Sequence, residues 1–309
     1  STPAAKVDAT RDYGAEVVVH GDIYERSFEH AQARADETGE TFVHPFDDPA
    51  VVAGQGTVGL ELLEQYPDPD AALVAVGGGG LIGGIGTALK ARDPEIRVVG
   101  VQPAGAAHAK PSLERGELYR LDDVDTVADG IADLRMGETT LAVAREVVDD
   151  VVVVGDRAIA AAVSLLAERA KVVAESAGAA PLAGLLDEAT DFAGERVAVV
   201  VSGGNVDLPD HAELTRLGRL ERGTAVAARL AVDAWPDRLS AVADCVSAEG
   251  GQLAHVERAR RALGDRPSRT PVTVELGGSG PDHLRDVLDE LAALDGVAVV
   301  EASLDARGE

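Results

Sequence analysis

The sequence predicts an α/β protein with a mostly parallel sheet covered on both faces, followed by a smaller βαββαβ module. Three observations carry this. Short aliphatic runs alternate with longer helical patterns from the start of the chain to about residue 201. One such run, Ala72-Leu73-Val74-Ala75-Val76, ends in Gly77-Gly78-Gly79-Gly80 and restarts as Leu81-Ile82-Gly83-Gly84-Ile85-Gly86-Thr87-Ala88-Leu89-Lys90, a strand, a glycine loop and a helix. Past Asp207 the alternation changes to strand, helix, two strands, helix, strand.

In chain order, a helical spacing runs from Pro3 to Tyr13, and Glu16–His20 reads as a strand. An amphipathic helix from Ile23 to Thr38 stops at Gly39, Thr41–His44 is a short strand, and Pro45–Pro49 is a turn. Helix follows over 51–65 and, beyond the glycine loop, to about Ala91. Strand 96–101, helix 106–115, a loop through Ala128-Asp129-Gly130, helix 138–148, strand 151–154, helices 156–170 and 177–189 and strand 196–201 complete the large unit. The polar, arginine-rich stretch from Arg216 to Gly223 reads as a boundary. Beyond it lie strand 224–232, helix 236–249, strands 251–258 and 271–276, helix 281–294 and strand 297–302.

The composition narrows the partners. Fifty-four Asp and Glu stand against 28 Lys and Arg, for a net charge of −26, while 46% hydrophobic content keeps the chain in the folded class. Lysine occurs only at Lys6, Lys90, Lys110 and Lys171. This acidic, arginine-weighted pattern resembles proteins of salt-accumulating halophiles, where salt screens self-repulsion. Nucleic acid and anionic membranes are excluded as partners by this surface. No apolar run reaches membrane-spanning length, so a soluble, cytoplasmic protein is expected. A single cysteine, Cys245, excludes an intramolecular disulfide and a cysteine-rich metal site. The chain begins Ser1-Thr2-Pro3 without methionine or a signal segment, and an upstream piece is expected.

Four glycines at the mouth of a helix can aim successive N–H groups at one anion, and the helix dipole adds partial positive charge without a basic side chain. Gly78-x-Gly80-x-x-Gly83 also fits a dinucleotide fingerprint, but that requires an acid at the end of the next strand, and 96–101 runs into Gln102-Pro103. A phosphate other than that of NAD is expected. Strand 197–201 opens in the same way onto Ser202-Gly203-Gly204-Asn205, and in an open parallel sheet both loops can face one crevice. His44 beside Asp47 and Asp48 fits no ligand spacing and reads as a turn. Glu175, ahead of Ser176-Ala177-Gly178, reads as an acid complementing a helix start, with a substrate-side role as the lesser reading.

Taken together, Thr2-Pro3-x-x-Lys6-Val7, Tyr13-Gly14-Ala15-Glu16-Val17, His44 to Pro49, Gly54-Gln55-Gly56-Thr57, Gly77 to Leu81, Ala128-Asp129-Gly130 and Ser202 to Asn205 resemble the threonine/serine dehydratases, pyridoxal-phosphate enzymes of fold type II. The resemblance runs in order from Ser1 to about Asp207, and the tail resembles an ACT regulatory domain. It implies three parts: residues 1–42 as the remainder of a small domain, 43–215 as the cofactor-binding large domain and 223–305 as the ACT-like domain. It also implies a homo-oligomer working in amino-acid metabolism, on the route to isoleucine.

The resemblance further implies pyridoxal 5'-phosphate as cofactor, its phosphate on the amides of Gly77, Gly78, Gly79, Gly80 and Leu81 and its pyridine nitrogen on Ser202. A serine does not hold that nitrogen cationic as a carboxylate would, which favours elimination over transamination. Threonine would yield 2-oxobutanoate and ammonia; serine is left open as substrate, and so is the identity of an amino-acid effector, for which isoleucine is the family expectation. Cysteine synthase and the tryptophan synthase β subunit are alternatives that Ala128-Asp129-Gly130 and the tail disfavour. The family's Schiff-base lysine lies in a Ser-Phe-Lys-type motif that does not occur here, so the chain reads as the C-terminal part of a dehydratase, inactive by itself. A non-catalytic amino-acid sensor is the competing reading. Some serine-racemase-like relatives bind a divalent cation through two acids whose positions are Gln102 and His108 here, so no metal site is expected.

Overall fold

A computed structural model describes residues 4–21, 24–187, 190–261 and 267–304. The expectations resting on Thr2, Pro3, Ile23, the last residues of helix 177–189 and the domain end at Asp305 lie outside them.

The large unit is built on strands β1 (Ala71–Ala75), β2 (Arg97–Pro103), β3 (Asp150–Val154) and β4 (Val197–Val199), all parallel, in the order β3-β2-β1-β4. The chain moves outward from β1 through β2 to β3, then returns to the other side of β1 for β4. The β1/β4 pair is therefore the place where strand order reverses, and ligands of such sheets sit at the carboxyl ends of strands there.

Both faces of the sheet are covered. Alternate β1 side chains Ala72 and Val74 pack with Ile82, Ile85 and Leu89 of α4 (Gly80–Arg92) and with Leu141 and Ala144 of α6 (Glu138–Val147). Leu73 and Ala75 face the other way, toward Ile159 and Val163 of α7 (Asp156–Leu165) and Ala179, Ala180 and Ala183 of α8 (Ser176–Leu185). A strand buried on both sides reads as a continuous apolar run, as 71–76 does. Helices α1 (Ala4–Asp12), α2 (Tyr24–Thr38) and α3 (Pro49–Gln65) precede β1, α3 packing on α4; α5 (Ala109–Arg115) follows β2.

Two expected strands do not form. Residues 16–20 and 41–44 carry no ladder, and Val18, Val19 and Val43 are exposed. Their β-branched pattern is a local signal, but a strand also needs a hydrogen-bonded neighbour, and none pairs with them among the described residues.

The stretch 216–223, expected to mark a boundary, holds the last turns of a helix and the step into the second unit. That helix, α9 (Leu208–Glu221), packs on α7, where a Cβ at Gly218 would lie 2.0 Å from the Ala160 carbonyl oxygen. Its arginines are not linker residues. Arg216 pairs with Glu213 and with Glu275, Arg219 and Arg222 reach Glu168, and Arg222 also donates to the Ser164 hydroxyl.

The second unit is the expected βαββαβ: β5 (Ala225–Val232), α10 (Leu239–Ala248), β6 (Gln252–Arg258), β7 (Thr270–Gly277), α11 (Pro281–Ala293) and β8 (Val297–Ala302). Its sheet is antiparallel, ordered β6-β7-β5-β8, and Leu284, Val287 and Leu291 of α11 close its core over Val226, Leu230 and Val274.

Candidate active site

The loops after β1 and β4 meet at one cleft of about 390 Å³. Gly77, Gly78, Gly79, Gly80, Leu81 and Ser202 all line it, so every sequence-predicted site residue lies on a common surface. Pro45, Phe46, Gln55, Ile131, Asp133 and Glu175 form other parts of the wall.

Why the loop is glycine follows from what surrounds it. Gly79 caps α4 with φ of +94°, a conformation that strains any residue with a Cβ, and a Cβ there would meet the Met136 methyl at 2.6 Å. A Cβ on Gly78 would strike the Phe46 ring at 2.4 Å. The Gly78 carbonyl accepts from the Thr140 hydroxyl at 2.6 Å. Because the peptide group is planar and trans, that bond turns the Gly79 N–H to the opposite side. Thr140 is itself fixed at the start of α6, where the Asp47 carboxylate accepts the N–H groups of Glu138, Thr139 and Thr140 at 3.1, 2.9 and 3.1 Å. The segment around His44 is thus a turn whose polar groups serve backbone. The His44 Nδ1 accepts from Phe46 and Asp47, and Asp48 caps α3 through Ala50 and Val51.

Behind the loop lies a buried polar pair. The Gln102 amide nitrogen donates to the carbonyl of Val76, the residue before the glycines, and its oxygen accepts from Ala109 N–H. The same nitrogen lies 3.3 Å from His108 Nε2, so Nε2 accepts and the imidazole proton sits on Nδ1, which has no partner. His108 is fully buried, and burial holds its pKa down at about 4.

Two carboxylates of the cleft were not singled out as site residues from sequence. Glu175 borders both this cleft and a neighbouring cavity lined by Lys6, Asp129 and Asn205. A Cβ on Gly203 would lie 2.1 Å from its Oε1, so the Ser202–Asn205 loop is shaped around it. Asp133 comes off the short turn Asp129–Ile131, with Oδ2 2.6 Å from where a Gly77 Cβ would be. Burial raises its pKa, and the Gly78 backbone N–H facing it works against that rise. A single acid without a spacing partner leaves no sequence signal. Only the glycine at 203, directly after Ser202, hinted that something presses on that loop.

No lysine lines the cleft among the described residues. Lys6 borders the neighbouring cavity, Lys90 pairs with Asp149, Lys110 lines a groove with Glu114 and Asp149, and Lys171 donates to the Glu168 carbonyl.

Bare amides at a helix mouth, a hydroxyl across the cleft and room for a small planar ligand fit a phosphate-bearing cofactor. The comparison with known families agrees: residues 1–203 match the family model described as pyridoxal-phosphate dependent enzyme. The chain belongs to this family. L-Threonine ammonia-lyase of Geobacter sulfurreducens is 40% identical over 292 residues, covering 94% of this chain and 72% of that protein. The enzyme of the same name from Thermotoga maritima is 37% identical over 285 residues, 92% of this chain and 71% of its own. Among solved structures, the processed form of threonine deaminase isoform 2 from Solanum lycopersicum superposes with a TM-score of 0.67 at 36% identity, covering 70% of this chain and 64% of that one. Maize serine racemase gives 0.64 at 37% identity, over 68% and 65%. The chain therefore spans about two thirds of the solved structures it matches. The fold is that of the fold-type II enzymes, and family members depend on pyridoxal phosphate.

Proposed function

We propose that this chain carries the cofactor site of a threonine ammonia-lyase. The supporting observation is the meeting of the β1 and β4 loops in one cleft at the point where strand order reverses. In this reading the amides of Gly77 to Gly80 and Leu81 hold the cofactor phosphate, and the Ser202 hydroxyl meets the ring nitrogen. The cofactor, when bound, supplies the electron-withdrawing ring that acidifies the substrate α-carbon. The chain's own residues position it. Thr140 fixes the Gly78 carbonyl and so the Gly79 N–H, Gln102 fixes the end of β1, and Phe46 and Gln55 wall the cleft from water. Ser202 offers a neutral partner where a carboxylate would hold a proton on the ring, which favours loss of the β-hydroxyl over amino transfer. Threonine as substrate rests on what the relatives are called.

Proton removal from the α-carbon needs a positioned base, and with no lysine on the cleft wall the 309-residue chain alone is expected not to turn over threonine or serine. The βαββαβ unit is proposed to act as an ACT-like amino-acid sensor, in a homo-oligomer, with boundaries near residues 43, 215 and 223.

The test is thermal unfolding in high salt with pyridoxal phosphate and with pyridoxal, in wild type and Gly79→Asp. Saturation at about 100 times the dissociation constant adds about 2.7 kcal/mol to native stability. The phosphate-bearing ligand alone should raise Tm, and only in wild type. Equal shifts with both ligands, or an intact shift in Gly79→Asp, would remove the glycine loop as the cradle. Release of 2-oxobutanoate above the rate of free cofactor would contradict the expected inactivity.

A further inference from the structure

The cradle faces an anion of its own. Asp133 lies in the same cleft as the four glycines, with Oδ2 at the Gly77 backbone and the Gly78 N–H turned toward its carboxylate. Two anions in one partly desolvated cleft repel, and Asp133 Oδ2 lies 2.6 Å from where a Gly77 Cβ would be, at the first glycine of the cradle. We infer that Asp133 is a built-in competitor for the cradle, its carboxylate setting how tightly the cleft takes a phosphate-bearing cofactor and how that affinity changes with pH. This rests on the cofactor site proposed above.

The coupling has a fixed direction. A bound phosphate disfavours charge on Asp133, so binding takes up a proton from solvent onto that carboxylate, and affinity falls as pH rises and the proton must be fetched from a scarcer supply. The burial that already raises the Asp133 pKa brings this closer to neutrality. Other titratable or charged groups surround it. Asp129 and Arg135 are on its own segment, Glu175 stands at the head of α8, and His44 and Asp47 precede α3. Asp47 is committed to the α6 amides and His44 Nδ1 to two backbone N–H groups, which leaves Glu175 as the carboxylate to control for on the cleft wall.

The experiment titrates the full chain with pyridoxine 5'-phosphate, which lacks the aldehyde and forms no imine with lysines. Affinity is measured by calorimetry at about pH 4 and about pH 8, the lower value lying at the ordinary carboxyl pKa and so below a raised one. Wild type is compared with Asp133→Asn, which keeps the shape and an acceptor for Gly78, with Asp133→Ala as a second variant and Glu175→Gln as control. Using the ratio of affinities removes the ligand's own phosphate titration. Asp133→Asn should bind about tenfold more tightly than wild type at the higher pH for each pH unit by which phosphate raises the carboxyl pKa, and equally at the lower pH. Buffers of different ionisation enthalpy should show more proton uptake in wild type than in either Asp133 variant. Equal affinity of wild type and both Asp133 variants at the two pH values overturns the inference, as does a gain found in Glu175→Gln and not at Asp133. If Gly79→Asp abolishes binding while Asp133→Asn changes nothing, the cradle stands and this inference alone falls. If Gly79→Asp binds as wild type does, the cradle falls and takes the inference with it.

Discussion

His108 should make the protein acid-sensitive by a calculable amount. Its imidazole is fully buried beside Gln102, with Nδ1–H unpaired and a pKa of about 4 in place of the ordinary 6.5. As pH falls below 6.5 the unfolded chain takes up a proton on this ring, and the native protein does not until about 4. The native state therefore loses ground throughout that window. Its contribution is whole above pH 6.5 and gone below about pH 4. At about 1.4 kcal/mol per pH unit, the drop amounts to about 3 kcal/mol, a large share of a typical domain's stability. The acidic surface also titrates in this range, so the measurement is a difference: urea unfolding of wild type and His108→Gln at several pH values, at fixed high salt. The stability gap between the two should move by about 3 kcal/mol against wild type from pH 7 down to about pH 4. A gap that stays constant with pH would refute the argument, because a His108 that titrates alike in both states has no linkage to folding.

Three further outcomes follow from the same geometry. Asp47→Ala removes the acceptor for three α6 amides and should cost about 2 kcal/mol in chemical unfolding, with weaker binding of pyridoxal phosphate because Thr140 no longer holds Gly78. Magnesium should leave Tm where EDTA leaves it, since Gln102 is engaged by Val76, Ala109 and His108 Nε2, the remaining His108 nitrogen carries its proton, and neither side chain offers a carboxylate. Glu168→Gln should lower stability by about 1 kcal/mol at low salt and less at high salt, because it takes the anionic partner from Arg219 and Arg222 at a partly exposed joint.

Much of the fold could be read from periodicity because the large sheet is buried on both sides, so its strands are aliphatic runs with sharp ends. The two strands expected before residue 45 show the limit of that signal: Val17-Val18-Val19 has the side chains of a strand, but a ladder is a property of two segments. Helix α9 was hidden for another reason. Its arginines look solvated until Glu168 and Glu275 are placed opposite them, and Gly218 is where α9 touches the α7 backbone. The glycine loops could be picked out because a turn that packs this closely on its neighbours needs residues without side chains, and they share one cleft with Ser202. Asp133 and Glu175 could not, since a carboxylate's role there depends on which glycine it abuts.

The joint built by α9 also divides the protein's response to dilution. An excess of 26 negative charges repels itself more strongly as salt is removed, so the acidic surface loosens in fresh water. The contacts of Arg216, Arg219 and Arg222 with Glu275 and Glu168 run the other way, because the same loss of screening draws opposite charges together. Desalting therefore strains each unit from within while it tightens the seam between them. The ion pairs of this joint are thus among the few contacts of the molecule that gain from dilution.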